Sequence, residues 1–307
     1  MDSALIILQQ VSIMFIIILI GALLYKLGIV TKEGNKHISN VILQLVCPVL
    51  IFMAYQTEYN NELLSGLLKA LVLAAVGHVV MVALTFVCVR DKQGRETAIE
   101  RFSMMYSNCA FMGIPLIQGV YGSEGVLYVT AYITIFNLLV WTHGVMIMKN
   151  DMSLKGLVKA IKSPSVIAIL LGLICYVTNI RLPEIPATAL RHISNVNTPL
   201  AMIVAGATIA QTNVLKALRK PRVLYCCFLK LLLIPVILIP IYRLFGFSET
   251  VFVTLAIATG CPTATTGTLF AVSYDKNAAY SSEIFALTTI LSAITLPLMV
   301  IFANMLL

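Results

Sequence analysis

The sequence predicts an all-α polytopic membrane protein of ten transmembrane helices, arranged as two inverted five-helix repeats in which the fourth and ninth helices are broken and cross. Three observations predict it. Of 307 residues, 60% are hydrophobic and only 11% charged, far outside the balance of a soluble domain. Apolar runs near the ~20 residues needed to cross a bilayer recur ten times. The pentapeptide HISNV occurs at 37–41 and again at 192–196, each time opening a segment after a short polar loop.

The first run, ALIILQQVSIMFIIILIGALLY, lacks a basic leader and a small-residue cleavage site. It reads as a spanning helix over 4–25, not a cleaved signal peptide. Runs over 38–57, 64–89, 101–120 and 125–148 complete a first half, residues 1–150. Runs over 164–180, 190–211, 222–244, 249–271 and 280–305 make a second, residues 164–307. The seventh begins with the polar Arg191, His192 and Asn195, and the ninth is rich in threonine rather than leucine. Connections are short, which leaves no soluble domain. The seven cysteines, at 47, 88, 109, 175, 226, 227 and 261, show no metal or redox spacing and read as small core residues.

Basic residues fix the orientation. Of the 21, sixteen fall in loops on one side, Arg181, Arg191 and Arg243 fall on the other, and Lys69 and Lys230 lie inside spans. The crowded side is cytoplasmic by the positive-inside rule, so both termini face outward. The formal charge of +8 thus reflects topology and contact with anionic membrane lipids. It is not a nucleic-acid footprint, because the basic loops are short and carry no interleaved aromatics.

The two HISNV copies are offset by 155 positions. Each half has an odd number of spans, so the second enters the membrane from the opposite side and the repeat is inverted. The same offset carries Asn108, in YSNCAFMGIPLIQGVYG, onto Thr263, in ATGCPTATTGTLFAVSYD. These are the two spans with polar, broken middles, marked by Gly113 and Pro115 in the first and by Gly260 and Pro262 in the second. Unpaired backbone groups in hydrocarbon cost several kcal/mol each, so such interruptions persist only where protein or a wet cavity satisfies them. Crossing at the midplane, they leave half-helix N-termini, which favour an anion, and free carbonyls, which favour a cation. The blander reading, kinks for packing alone, is weakened by their matching positions.

SNCAFMGIPLIQGVYG resembles the fourth-helix signature of the auxin efflux carrier family, which includes bacterial organic-acid permeases and the plant PIN-type carriers. GCPTATTGTLFAVSYDKN resembles the family's ninth-helix crossover, and IFNLLVWTHGV its bacterial branch. The resemblance covers the whole chain. It implies the fold of bile-acid sodium symporters: helices one, two, six and seven form a scaffold, and three to five with eight to ten form a moving transport domain. It further implies an elevator-type movement, a homodimer, and a substrate carboxylate met by a crossover asparagine, here Asn108. Those carriers have a proline directly before that asparagine, where this chain has Ser107. The break here is therefore expected to rest on Ser107, Asn108 and Gly113.

Asn108 and Thr263 are the leading candidates for substrate contact, each offering donor and acceptor capacity; the plainer role is an interhelical hydrogen bond. Ser107, Cys109 and Pro262 flank them, and the resemblance places Asn137 beside the same cavity. His78, mid-span in the third helix, reads as a packed neutral histidine or a proton relay. Lys230, ~12 Å into the eighth span, reads as a snorkelling side chain or as a fixed charge in place of a coupling cation. No Asp or Glu lies mid-span, so carboxylate-driven proton coupling has no carrier, and Na+ or H+ coupling stays open. Metalloprotease and paired-aspartate motifs are absent, so no enzyme is expected and no cofactor. The expected function is secondary active transport of a small organic anion, a carboxylate, across the cytoplasmic membrane. A channel with a broken-helix pore is the alternative.

Overall fold

A computed structural model describes residues 2–91, 96–149 and 162–307. Lys92, Arg95, Lys155 and Lys159, four of the residues used to orient the chain, lie outside the described residues. Every regular element among the described residues is helical. In order they are α1 (Asp2–Lys26), α2 (Lys32–Val41), α3 (Cys47–Ala54), α4 (Asn61–Cys88), α5 (Thr97–Met105), α6 (Ile114–Leu139), α7 (Val145–Lys149), α8 (Pro164–Val177), α9 (Glu184–Asn195), α10 (Asn197–Ala210), α11 (Val214–Leu218), α12 (Pro221–Phe228), α13 (Ile234–Arg243), α14 (Glu249–Gly260), α15 (Thr266–Ser273) and α16 (Ala278–Met305).

Among the described residues, seven continuous helical stretches are long and apolar enough to cross a bilayer: Leu8–Lys26, Lys32–Ala54, Asn61–Cys88, Cys109–Lys149, Glu184–Ala210, Pro221–Arg243 and Ala278–Met305. Pro164–Val177 and Glu249–Gly260 are apolar but shorter. The 41-residue stretch is not one straight helix, which would be ~60 Å long. At Gly122 the backbone leaves helical values, with φ 58° and ψ −144°, a conformation that L side chains resist. A Cβ added at Gly125 would lie 2.7 Å from the Ile117 side chain, eight residues back, whereas a straight helix separates such positions by ~12 Å. The chain therefore turns back on itself at Gly122.

Wide helical turns interrupt several helices, at Ile42–Val46, Cys109–Gly113, Val140–Gly144 and Leu229–Leu233. Three of them end two residues before a proline: Pro48, Pro115 and Pro235. The cause is local. Proline has no N–H to give to the carbonyl four residues back, and its ring crowds that carbonyl. Widening the preceding turn relieves the clash without ending the helix.

Leu19, Leu23 and Ile16 on α1 are 54–67% exposed, an apolar face that needs a hydrocarbon neighbour. Elsewhere backbones touch. α1 lies along α10, and α3 along α8. A Cβ on Gly206 would overlap the Ile18 carbonyl of α1, and one on Gly21 would overlap the backbone of Ile203. Small residues permit such close approach, which is what drives helix association in lipid. Gly206→Ala is expected to destabilise the protein by about 1–3 kcal/mol through backbone overlap that no rotamer relieves. Thermal unfolding in detergent checks this, the expected result being a fall of several degrees in Tm.

Candidate functional site

The first break spans Tyr106–Asn108. α5 ends at Met105, Tyr106 is extended (φ −105°, ψ 113°) and a wide turn restarts the helix at Cys109. The second spans Cys261–Thr265, between α14 and α15. The two unwound segments pair as one antiparallel bridge, Ser107 opposite Thr263. The Asn108 N–H donates to the Pro262 carbonyl at 2.7 Å and the Ala264 N–H to the Tyr106 carbonyl at 2.9 Å. Each break thus supplies the hydrogen-bond partners that the other lost by unwinding.

Side chains extend the pattern. Ser107 Oγ donates to the Thr259 carbonyl at 3.1 Å, at the end of α14, and Thr263 Oγ1 donates to the Ser103 carbonyl at 3.0 Å, at the end of α5. Each hydroxyl caps the C-terminal end of the opposite half-helix. All four bonds are interchanged by one operation that relates a residue to the one 156 positions later: 103 to 259, 106 to 262, 107 to 263 and 108 to 264. The expected offset of 155, which paired Asn108 with Thr263, is corrected by one residue at the crossing. Ser107 is the partner of Thr263, and Asn108 corresponds to Ala264.

The expected break residues also shift. Gly113 lies inside the wide turn and Pro115 at the start of α6, both helical. Proline is tolerated in a first helical turn, and here the turn before it is widened. The unwinding sits seven to nine residues before Pro115, at Tyr106–Asn108. Gly260 is the last residue of α14, and Pro262 lies within the second break. Gly113 is the point of contact between the breaks: a Cβ there would be 3.3 Å from Cys261 Sγ and 3.5 Å from Cys109 Cβ, so the two cysteines are neighbours.

Asn108 is 4% exposed and its side-chain Nδ2 is buried without a hydrogen-bond partner. Such a donor costs ~1–3 kcal/mol unless something fills the vacancy. Asn137 lies half-buried near the end of α6 and makes no side-chain hydrogen bond to the crossing. His78 is buried, its Nδ1 2.7 Å from the Ala74 carbonyl and its ring 4.7 Å from that of Tyr132, with Nε2 unpartnered.

Lys230 does not snorkel. It is fully buried, and its Nζ donates to Ser107 Oγ at 2.5 Å and to the Thr259 carbonyl at 3.4 Å. The wide turn Leu229–Leu233, forced by Pro235, contains it. That turn carries the side chain toward the crossing rather than toward the near end of its helix. Tyr132 donates to Ser107 Oγ at 3.3 Å, and the Tyr242 hydroxyl is 2.9 Å from Thr259 Oγ1.

A cavity of about 620 Å³ reaches the crossing from one side. Lys32, Asn35 and Lys36 of α2 line one wall, Thr208 of α10 another, and Thr265 and Thr266 its floor. Those threonines form the N-terminal end of α15, which no side chain caps.

Glu100 stands near the start of α5. The structure buries it to 1% exposure, held by Arg222 through Nε at 2.7 Å and NH2 at 2.5 Å and by the Tyr280 hydroxyl at 2.9 Å. This ties α5 to α12 and α16. The sequence surroundings of Glu100, with Glu96 and Arg101 close by, look like a polar helix end and give no sign of the burial.

The chain matches the family model described as "Membrane transport protein" over residues 6–155 and 148–300. The chain belongs to this family of membrane transporters, the auxin efflux carrier family that the crossing motifs resemble. It is also similar to an uncharacterized transporter of Methanothermobacter thermautotrophicus, 24% identical over 297 residues, with 94% of this chain and 96% of the relative covered. The protein is a multi-pass membrane transporter, not an enzyme.

Removing the buried acid tests the ion-pair assignment. Glu100→Ala leaves Arg222 and Tyr280 facing a partly buried gap and is expected to cost about 2–4 kcal/mol, discounted from a fully buried pair because Arg222 reaches solvent. Glu100→Gln combined with Arg222→Met is expected to be less destabilised than the sum of the single variants, as a double-mutant cycle in thermal unfolding reads directly.

Proposed function

We propose that this transporter carries a small organic anion, a carboxylate, across the cytoplasmic membrane by alternating access at the crossing. The observation that carries the reading is the cavity of about 620 Å³, which joins two lysines at its mouth to an uncapped helix N-terminus at its floor. Lys32 and Lys36 raise the local concentration of anions. The N-terminal end of α15 offers N–H groups where a carboxylate gives up its water, and the unpartnered Asn108 amide is buried in the neighbouring break, behind the residues that line the cavity.

The ten-span, inverted reading has further support. Dividing the 41-residue stretch at Gly122, and counting α5 with the helix after the first break and α14 with α15, gives two sets of five spans. The contact of α1 with α10 and of α3 with α8 is the exchange that an inverted two-fold axis makes between spans one and seven and spans six and two. With α2, these form a scaffold against which the crossing helices move as an elevator, and a homodimer joined through the scaffold fits the same plan. The cavity's lysines lie at the start of α2, among the basic residues of the crowded side, so the cavity opens to the cytoplasm and both termini face outward.

The decisive assay is counterflow in proteoliposomes. Preloaded unlabelled acetate, malonate, succinate or citrate is expected to drive uptake of the same labelled acid, whereas a channel gives ohmic current with no exchange. Asn108→Ala is expected to lower exchange at least about tenfold, which corresponds to ~1.4 kcal/mol of lost anion stabilisation, while purifying as a folded protein. Wild-type exchange by that variant would remove Asn108 from the site. For orientation, a single cysteine at Glu184 is expected to react with an impermeant thiol reagent in intact cells, and one at Lys216 only after permeabilisation. The reverse pattern would invert the topology.

A further inference from the structure

We propose that Lys230 permanently occupies the cation site of the crossing, its ammonium group standing where an alkali cation would otherwise bind at the C-terminal ends of the two half-helices. The inference rests on the crossing being the transport site and not on which anion is carried.

Broken-helix transporters place carbonyl-rich half-helix ends near the midplane, and those ends attract a cation. Here α5 and α14 both end at the crossing. Each helix end carries roughly half a negative charge. Two such ends together match one positive charge, and the structure puts one ammonium group there. Lys230 Nζ touches the Thr259 carbonyl in the last turn of α14 and Ser107 Oγ just beyond α5. The Ser107 proton is committed to the Thr259 carbonyl, which leaves its oxygen free to accept from the lysine.

Polar groups around Lys230 and around its two partners come from several elements. They are His78 on α4, Tyr132 on α6, Tyr242 on α13 and the thiols of Cys109 and Cys261 in the two breaks. Among the described residues no Asp or Glu pairs with Lys230, so the helix ends and hydroxyl oxygens carry the compensation. The arrangement is one-sided. The position 156 residues earlier is Ala74, so the symmetry-related end, where Thr263 caps Ser103, has no counterpart lysine. The charge sits on the carbonyl end of α14 and meets the α5 side through Ser107 Oγ.

Sodium sensitivity tests this in the full-length protein in detergent, with no organic anion present, so the outcome is independent of the substrate assignment. Melting temperature is measured in sodium chloride and in choline chloride at equal ionic strength. The wild type is expected to melt at the same temperature in both. Lys230→Ala, which opens the site, is expected to gain roughly 5 °C in sodium, the scale set by a ligand about a hundredfold above its Kd. Lys230→Met, which fills the space without charge, is expected to be indifferent to the salt. A wild type stabilised by sodium overturns the proposal, since the site would then be open with the lysine in place. A folded Lys230→Ala protein indifferent to sodium also overturns it. If Lys230→Ala folds in neither salt, Lys230→Ser is put through the same comparison, and a folded variant of either kind that sodium does not stabilise overturns the proposal.

Discussion

The structure depends on one constraint: a backbone that unwinds inside hydrocarbon must find hydrogen-bond partners at once. Tyr106–Asn108 and Cys261–Thr265 meet it by pairing with each other, N–H to carbonyl in both directions. Neither break is stable alone, because each would expose several unpaired groups at a cost of several kcal/mol apiece. Together they convert two defects into a short sheet-like contact, with Ser107 and Thr263 closing the opposite helix ends. The ion pair of Glu100 with Arg222, which ties α5 to α12, and the bonds of Lys230 to Ser107 and Thr259 add to the hold on these two segments.

Proline supplies the second layer. Pro115 and Pro235 each force a wide turn immediately upstream, and these turns hold the chemistry. The first follows Asn108 and places Gly113 against Cys261, where a larger side chain would hold the breaks apart. The second swings Lys230 inward. A proline that the sequence offers as a helix breaker thus acts one turn earlier, by changing which way the preceding side chains point. The crossing thus gathers the carbonyl end of α14 and the Lys230 ammonium group, with the N-terminal end of α15 beside the cavity.

Much of this was legible from residue types. The membrane class followed from composition, and the two interrupted spans followed from Asn, Gly and Pro where leucine would be expected. What the sequence could not resolve were single-residue matters. HISNV gave an offset of 155, but the hydrogen bonds repeat at 156, since a loop or wide turn can absorb one residue without disturbing the apolar pattern. Gly113 and Pro115 looked like the break because both are poor helix formers, yet the unwinding occurs at Tyr106–Asn108, where the gain is pairing with the other segment, a tertiary effect that no local propensity encodes. Lys230 was ambiguous because its depth alone permits snorkelling; only the wide turn decides its direction. The burial of Glu100 is not legible locally because its partner, Arg222, lies in a distant segment. Asn137, placed by resemblance, sits outside the network.

The backbone pairing itself can be measured. Residues facing each other between, but not joined by, a pair of antiparallel backbone bonds have Cα atoms ~4.5 Å apart, within disulfide range. In a protein whose seven native cysteines are replaced, Ser107→Cys and Thr263→Cys placed together are expected to form an intramolecular disulfide under mild oxidation. Mass spectrometry after denaturing alkylation would then show a chain lighter by two hydrogens and carrying no label. Recovery of the chain with both thiols alkylated would mean that the two breaks do not meet, and the account of the crossing would be contradicted.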